Sequence, residues 1–277
     1  MDVKQILQQN GFRFNKQFGQ NFLTDEALLA DIVRDAQICG GIVLEVGAGA
    51  GTLTRALSAA ADRVIAFEID RNLEKILAIT LADCPNVEVV MGDVMRRKVA
   101  DVEQKCGGAY RMVANIPYYI TTPLIMNFVE QSALLQSLTL TVQKEVALRL
   151  AASPPTKDYG AITVGVNAVA DVQITRILPR DLFYPAPNVD SAVVRIDMRR
   201  DKFAIADHAH FRKTVRVAFA MRRKTLVNNL MVGFKIDRNT AETALGALNL
   251  PLSCRGEELS VQQFVRLDAQ LVAMGIA

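Results

Sequence analysis

The sequence predicts a doubly wound α/β sheet followed by a small, all-helical C-terminal domain. Three observations predict it. Short β-rich apolar runs alternate with segments of helical spacing up to about residue 200, a glycine-rich turn directly follows the first clear run, and the strand signal stops beyond Asp201. At 277 residues, 51% of them hydrophobic, the chain can build one large domain with a small companion.

The runs IVLEVG (42–47), RVIAFEI (63–69), VEVVMG (87–92), YRMVANI (110–116) and SLTLTV (137–142) read as strands buried on both faces, as in a parallel sheet. Between them TLTRALSAAA, NLEKILAITLA and TPLIMNFVEQSALL carry helical spacing. The loop SPPTKDYG then leads to a further helical segment. DVQITRIL and SAVVRIDM form two more strands, separated by the proline-rich PRDLFYPAPNVD, which is short enough for an antiparallel connection and completes a seven-stranded sheet. Residues 1–200 form the expected sheet domain. HFRKTVRVAFAM, RRKTLVNNLMV, RNTAETALGAL and SVQQFVRLDAQLVAM place a helical domain over 201–277.

Composition excludes several classes of function. The first residues lack the apolar stretch of a signal peptide, and no window is long and apolar enough to span a bilayer, so a cytoplasmic protein is expected. Cys39, Cys84, Cys106 and Cys254 have no C-x-x-C spacing and read as reduced core thiols. His208 and His210 are the only histidines. They are expected at a solvated helix start, so no metal site is expected. The net charge of +3 is unevenly spread: Arg195–Lys224 carries ten Lys/Arg against three Asp, and residues 1–20 carry Lys4, Arg13 and Lys16 against Asp2. Such a distribution fits either a bound polyanion or a solvated, ion-paired face.

LEVGAGAGTLT follows the first strand and opens a helix, so Gly47, Gly49 and Gly51 allow a tight turn and close approach of a ligand to backbone N–H groups. Thr52 stands where the dinucleotide fingerprint has a third glycine or alanine, which counts against NAD. Glu68 ends the second strand and suits both hydroxyls of a ribose, while Asp93 ends the third and suits an adenine amino group. Glu45 places a carboxylate beside the turn, favouring a ligand with an ammonium or sulfonium. On the fourth strand, Pro117 stops pairing and restrains Ile116, holding Asn115 and Tyr118 at the strand's end. Ligands bind there in parallel sheets.

This order of glycine turn, ribose acid, adenine acid and Asn-Ile-Pro-Tyr resembles the class I S-adenosylmethionine-dependent methyltransferases, which implies a Rossmann-like sheet and S-adenosylmethionine as cofactor. An exocyclic adenine amine is a poor nucleophile because its lone pair is delocalised. An amide oxygen at Asn115 and a main-chain carbonyl accepting its two N–H bonds would localise that pair and aim it at the methyl group, with Tyr118 stacking on the base. A base must be unstacked to enter such a pocket, so single-stranded or looped nucleic acid is the expected substrate.

Asn115-Ile116-Pro117-Tyr118 departs from the Asn/Asp-Pro-Pro-Tyr of DNA adenine methyltransferases and is similar to the form in ribosomal RNA adenine N6-methyltransferases. FGQNFLTDEALLADIV (18–33) resembles that family's N-terminal motif, implying cofactor contacts from Gln20, Asn21 and Leu23, with Thr24 the expected N-cap of a helix. FYPAPNVDS (183–191) resembles its F-x-P-x-P-x-V-x-S loop, implying Phe183 as the second face of an aromatic sandwich. FAMRRKTLVNNL (219–230) and RGEELSVQQFVRL (255–267) resemble the bacterial small-subunit branch, with Arg222, Arg223 and Lys224 the expected RNA contacts. The resemblance implies dimethylation of two adjacent adenosines in the 3′-terminal hairpin loop of 16S ribosomal RNA by a monomer without membrane or DNA partners. Gly256 departs from a frequent proline, and Ala48 from another. Large-subunit resistance-type methyltransferases share the pocket motifs but not the C-terminal ones. An assembly factor acting chiefly by binding is a further reading. A nicotinamide-dependent oxidoreductase leaves Asn115–Tyr118 unexplained.

Overall fold

The computed structural model describes residues 3–15 and 18–277; Asp2 and Lys16, counted above in the N-terminal charge, lie outside them. The strands are β1 (Phe22–Leu23), β2 (Ile42–Val46), β3 (Arg63–Glu68), β4 (Val87–Met91), β5 (Tyr110–Asn115), β6 (Leu135–Gln143), β7 (Ala170–Leu178), β8 (Phe183–Tyr184) and β9 (Ser191–Met198). The helices are α1 (Val3–Gln9), α2 (Glu26–Asp35), α3 (Thr52–Ser58), α4 (Glu74–Thr80), α5 (Val99–Cys106), α6 (Thr121–Gln131), α7 (Lys144–Leu150), α8 (Ala161–Asn167), α9 (His208–Ala218), α10 (Leu226–Phe234), α11 (Arg238–Gly246) and α12 (Val261–Ala273).

Seven strands form one sheet in the order β4-β3-β2-β5-β6-β9-β7. β4, β3, β2, β5 and β6 pair in parallel, and β9 runs antiparallel to β6. The strand order reverses at β2, between β3 and β5, and this switch point opens the crevice that a ligand can enter. The buried positions of β2, β3 and β5 are mostly Val, Leu, Ile, Ala, Phe and Met, as the continuous apolar runs require, with Tyr110 and the acids Glu45 and Glu68 buried among them. A separate two-stranded ladder pairs β1 with β8, matching Phe22 with Tyr184 and Leu23 with Phe183.

The chain divides into two compact units, Met1–Ala147 with Gln173–Met198, and Leu148–Val172 with Arg199–Ala277. A single boundary near residue 200 therefore misses the excursion through Leu148–Val172, whose α8 segment joins the helical unit. Within that unit Asp268 Oδ1 accepts from Thr214 Oγ1 at 2.7 Å and lies 2.7 Å from His210 Nδ1, tying α12 to α9. His210 is thus a partner of a buried carboxylate, not the solvated residue expected, whereas His208 is exposed. Gly256 has a local reason: a Cβ there would come within 2.8 Å of the Ala218 carbonyl oxygen.

Two other expectations need correction. The N-cap of α2 is Asp25, whose carboxylate accepts from the amides of Ala27 and Leu28, and not Thr24. Cys39 is exposed, while the other three cysteines are buried free thiols. Much of the basic run is locally neutralised: Arg195 pairs with Asp197, and Arg199 and Lys202 with Asp171. Among the described residues no helix is long and apolar enough to cross a membrane, and no group of three or more His, Cys, Asp or Glu could hold a metal ion.

Candidate active site

At the C-terminal ends of β2, β3, β4 and β5 lies a cavity walled by all four strand ends and by the segment leading into β1. Its first wall is the turn after β2. Gly47 has φ +81° and donates its N–H to Phe67 O at 2.8 Å, so the chain folds back on the end of β3 immediately after leaving β2. Gly49 has φ +59°, and a Cβ there would meet the Phe22 ring at 2.9 Å. The turn and the N-terminal segment are therefore in close contact. Gly51 serves another purpose. It lies outside the cavity wall, and a Cβ there would meet Thr80 Oγ1 at 2.7 Å, so it lets α3 approach α4. The expectation that it contacts the cofactor is corrected accordingly.

Glu68 ends β3, buried, with Oε2 accepting from Gly49 N–H at 2.7 Å and Oε1 from Asp70 N–H at 2.8 Å. Those two bonds fix the carboxylate's plane and leave further lone pairs for a ligand's hydroxyls. Burial raises its pKa. Asp93, after β4, lines the cavity while capping the turn that follows, accepting from Met95 N–H at 2.9 Å. Arg96 Nε lies 3.4 Å from its other oxygen.

Glu45 is 1% exposed and lines the cavity, and its Oε2 has no hydrogen-bond partner among the described residues. Burial, reinforced by the charge of Glu68, pushes its carboxyl up to about 8. The fixed negative charge expected at this position is therefore a largely protonated group at neutral pH until a cation arrives. The sign of the stability effect follows: because the folded pKa lies above the unfolded value, this group's contribution is fully present below about 4.5 and is lost as the pH rises through about 8.

Asn115 ends β5, and its Nδ2 donates to the main-chain carbonyl of Asn21 at 2.8 Å. That bond orients the amide and leaves Oδ1 without a partner among the described residues, available to accept. Pro117 ends the strand as its chemistry requires, and Ile116 is buried beneath the cavity. Tyr118 lines the cavity with its hydroxyl 2.7 Å from Ser191 Oγ, so the ring is held at both ends; burial raises its pKa.

Gln20, Asn21 and Leu23 line the cavity as the N-terminal motif suggests. Gln20 is engaged within the protein, accepting from Asn15 N–H at 3.0 Å and donating to Asp70 Oδ2 at 2.8 Å. Phe183 is not in the wall. It is 4% exposed, in a core cluster with Leu23, Leu29 and Ile32. Phe183 pairs with Leu23 in the β1–β8 ladder and packs with it in that cluster, Leu23 alone of the two reaching the cavity wall. Phe183 thus lies in the core and outside the cavity wall, where a second stacking face was expected. Tyr119, 59% exposed, also stands at the cavity's edge, a residue to which the sequence pattern assigns no role.

A glycine turn, a ribose-type acid and an adenine-type acid on successive strand ends, with an aligned Asn-x-Pro-Tyr on the next, define a class I S-adenosylmethionine-dependent methyltransferase. The chain belongs to the ribosomal RNA adenine dimethylase family, whose profile matches residues 11–263. It is 41% identical over 267 residues to Ribosomal RNA small subunit methyltransferase A of Clostridioides difficile (strain 630), covering 95% of this chain and 92% of that protein. It is 41% identical over 280 residues to the protein of the same name from Geobacillus thermodenitrificans (strain NG80-2), covering 98% and 96%. The fold superposes on a dimethyladenosine transferase from Plasmodium falciparum with a TM-score of 0.78, 26% identity and coverage of 92% and 98%. It superposes on the 23S rRNA methyltransferase ErmE with a TM-score of 0.71, 28% identity and coverage of 91% and 100%. The protein is accordingly an enzyme of S-adenosylmethionine-dependent ribosomal RNA adenine dimethylation.

Proposed function

We propose that the enzyme dimethylates N6 of two adjacent adenosines in the 3′-terminal hairpin loop of small-subunit (16S) ribosomal RNA, acting as a monomer in the cytoplasm late in subunit biogenesis. The observation that carries the chemistry is the Asn115 amide, fixed by Asn21 O with its oxygen free at the cavity. The small-subunit choice rests on the names of the relatives and on the C-terminal stretches at 219–230 and 255–267.

The cavity fits the cofactor: a glycine turn of positive φ in its wall, an orphaned buried carboxyl oxygen on Glu45, and carboxylates at two strand ends. Glu68 would hold the ribose hydroxyls and Asp93 the adenine amine. The main chain of the Gly47–Gly49 turn, whose N–H groups are taken by Phe67 O and Glu68 Oε2, forms a floor of shape and not of donors, with Gln20, Asn21 and Leu23 closing the N-terminal side. Bound there, S-adenosylmethionine supplies an electrophilic methyl group with a good leaving group. Asn115 Oδ1 accepts one N6–H of the target adenosine. This aligns the amine's lone pair without any general base, because an amide does not take up a proton at neutral pH. The Tyr118 ring supports the base by stacking, worth about 1–3 kcal/mol.

Glu45 gives a pH signature. A cation beside its carboxyl favours the ionised form, so cofactor binding below about pH 8 releases a proton. Affinity is expected to weaken by up to about tenfold per unit as the pH falls below that value and to level off above it. Calorimetry at pH 7 in buffers of different ionisation enthalpy reads the released proton directly; a flat affinity with no release contradicts the assignment.

In the helical unit, Arg222 donates to Lys157 O at 2.6 Å, whereas the exposed Arg223 and Lys224 side chains have no partner among the described residues. Replacing both with glutamine is expected to lower the slope of log affinity against log salt by about 1–2, as lost phosphate contacts do. An unchanged slope would return the segment to an ordinary solvated face. The RNA target itself is tested by transferring labelled methyl to unmodified small and large subunits in parallel. Label on adjacent adenosines of small-subunit RNA alone is expected, and label on large-subunit RNA would overturn the assignment.

A further inference from the structure

We infer that Asp70 is a positioning residue for methyl transfer: through Gln20 it fixes the N-terminal segment whose Asn21 carbonyl orients the Asn115 amide. This rests on the role given to Asn115 above. Asp70 is 2% exposed and lies outside the cavity wall. Its Oδ2 accepts from Gln20 Nε2 at 2.8 Å, and its Oδ1 accepts from the amide N–H and the Nδ2 of Asn72 at 3.0 and 2.8 Å. Its own N–H donates to Glu68 Oε1 at 2.8 Å. One buried carboxylate thus joins the end of β3 and the start of the next helical turn to the N-terminal segment.

The segment is anchored on both sides of Asn21. Gln20 is clamped to Asp70 on one side, and Phe22 and Leu23 pair with β8 on the other. Asn21 Nδ2 also donates to Gly19 O at 3.1 Å. Its carbonyl therefore has a defined place, and the Asn115 amide takes its orientation from that carbonyl at 2.8 Å. Releasing Gln20 leaves the Phe22–Leu23 ladder in place but frees the chain just before Asn21. The amide can then turn, and its oxygen leaves the line to the incoming amine. A misplacement of about 1 Å at such a site can cost about 10²-fold in rate.

The alternative is that Gln20 contacts the cofactor directly, and the two accounts separate in the kinetics. Gln20→Met keeps side-chain length without the polar ends, and Asp70→Asn keeps the shape with half the acceptors. With RNA and S-adenosylmethionine saturating, both are expected to lower kcat about 10- to 100-fold, with the cofactor KM within about threefold of wild type. In an Asn115→Ala background Gln20→Met should cost no further rate, because the group it positions is already gone. Thermal melting separates a folding failure at buried Asp70 from the effect sought, and Gln20→Met carries the test alone if Asp70→Asn does not fold. A raised KM with unchanged kcat in Gln20→Met overturns the positioning role in favour of direct contact, as does full additivity with Asn115→Ala. A wild-type protein that transfers no methyl to adenine sinks the functional reading and the positioning role together, whereas an active wild type with unimpaired variants sinks only the latter.

Discussion

Replacing Asn115 with alanine is expected to reduce methyl transfer by about 10²–10³-fold while leaving cofactor affinity within a few-fold, the pattern of losing one preorganised group that acts at the reacting centre. The separation follows from the geometry. Asn115 meets the chain through Nδ2 and Asn21 O, and its oxygen is the atom aimed at substrate. The cofactor's own partners, Glu68, Asp93 and the glycine turn, lie on other strand ends. Single-turnover transfer and cofactor titration on the same preparation check both halves. A variant with full turnover contradicts the alignment of the amine, and one that loses cofactor and rate together makes Asn115 a binding residue instead.

Glu68→Ala is expected to do the reverse, weakening S-adenosylmethionine by at least about 10²-fold. The carboxylate satisfies two buried donors, Gly49 N–H and Asp70 N–H, besides facing the ligand. Leaving each donor unsatisfied costs about 1–3 kcal/mol, so the glycine turn loosens as well as losing its ribose acceptor. Cofactor titration and thermal melting should move together. Retained binding of small subunits by the same variant would separate a binding role from catalysis, because the basic side chains of Arg223 and Lys224 belong to the other compact unit. Unchanged cofactor affinity would contradict the ribose assignment.

The sheet was legible because strands buried on both faces leave continuous apolar runs, and β2, β3 and β5 all begin where such a run begins. The edge strand β4 is only half-buried, against the burial on both faces expected of it, but its run starts at the same residue. The helices α1, α5 and α7 were not legible, since charged or polar side chains run through their length. Cavity residues were legible where chemistry fixes type and place together: a glycine with positive φ, an acid at a strand end, an amide before a strand-stopping proline. What local pattern cannot carry is long-range register. Phe183 matches a loop motif read as a binding aromatic, but the fold buries it in the core cluster that also holds Leu23, its ladder partner 160 residues away in the chain. Glu45 looked charged, and only the depth of its burial reveals that it holds a proton. Asp70, two residues past Glu68, carries a weaker signal, a second acid just after a strand end that caps the next turn.

The most direct test of the site is a structure of the enzyme with S-adenosylhomocysteine and adenosine monophosphate. Glu68 is expected to bond both ribose hydroxyls of the cofactor product. Asn115 Oδ1 is expected within about 2.7–3.2 Å of N6 of the bound base, with Nδ2 still on Asn21 O. An N6 held by another group, or an Asn115 amide turned away from Asn21, would contradict this arrangement.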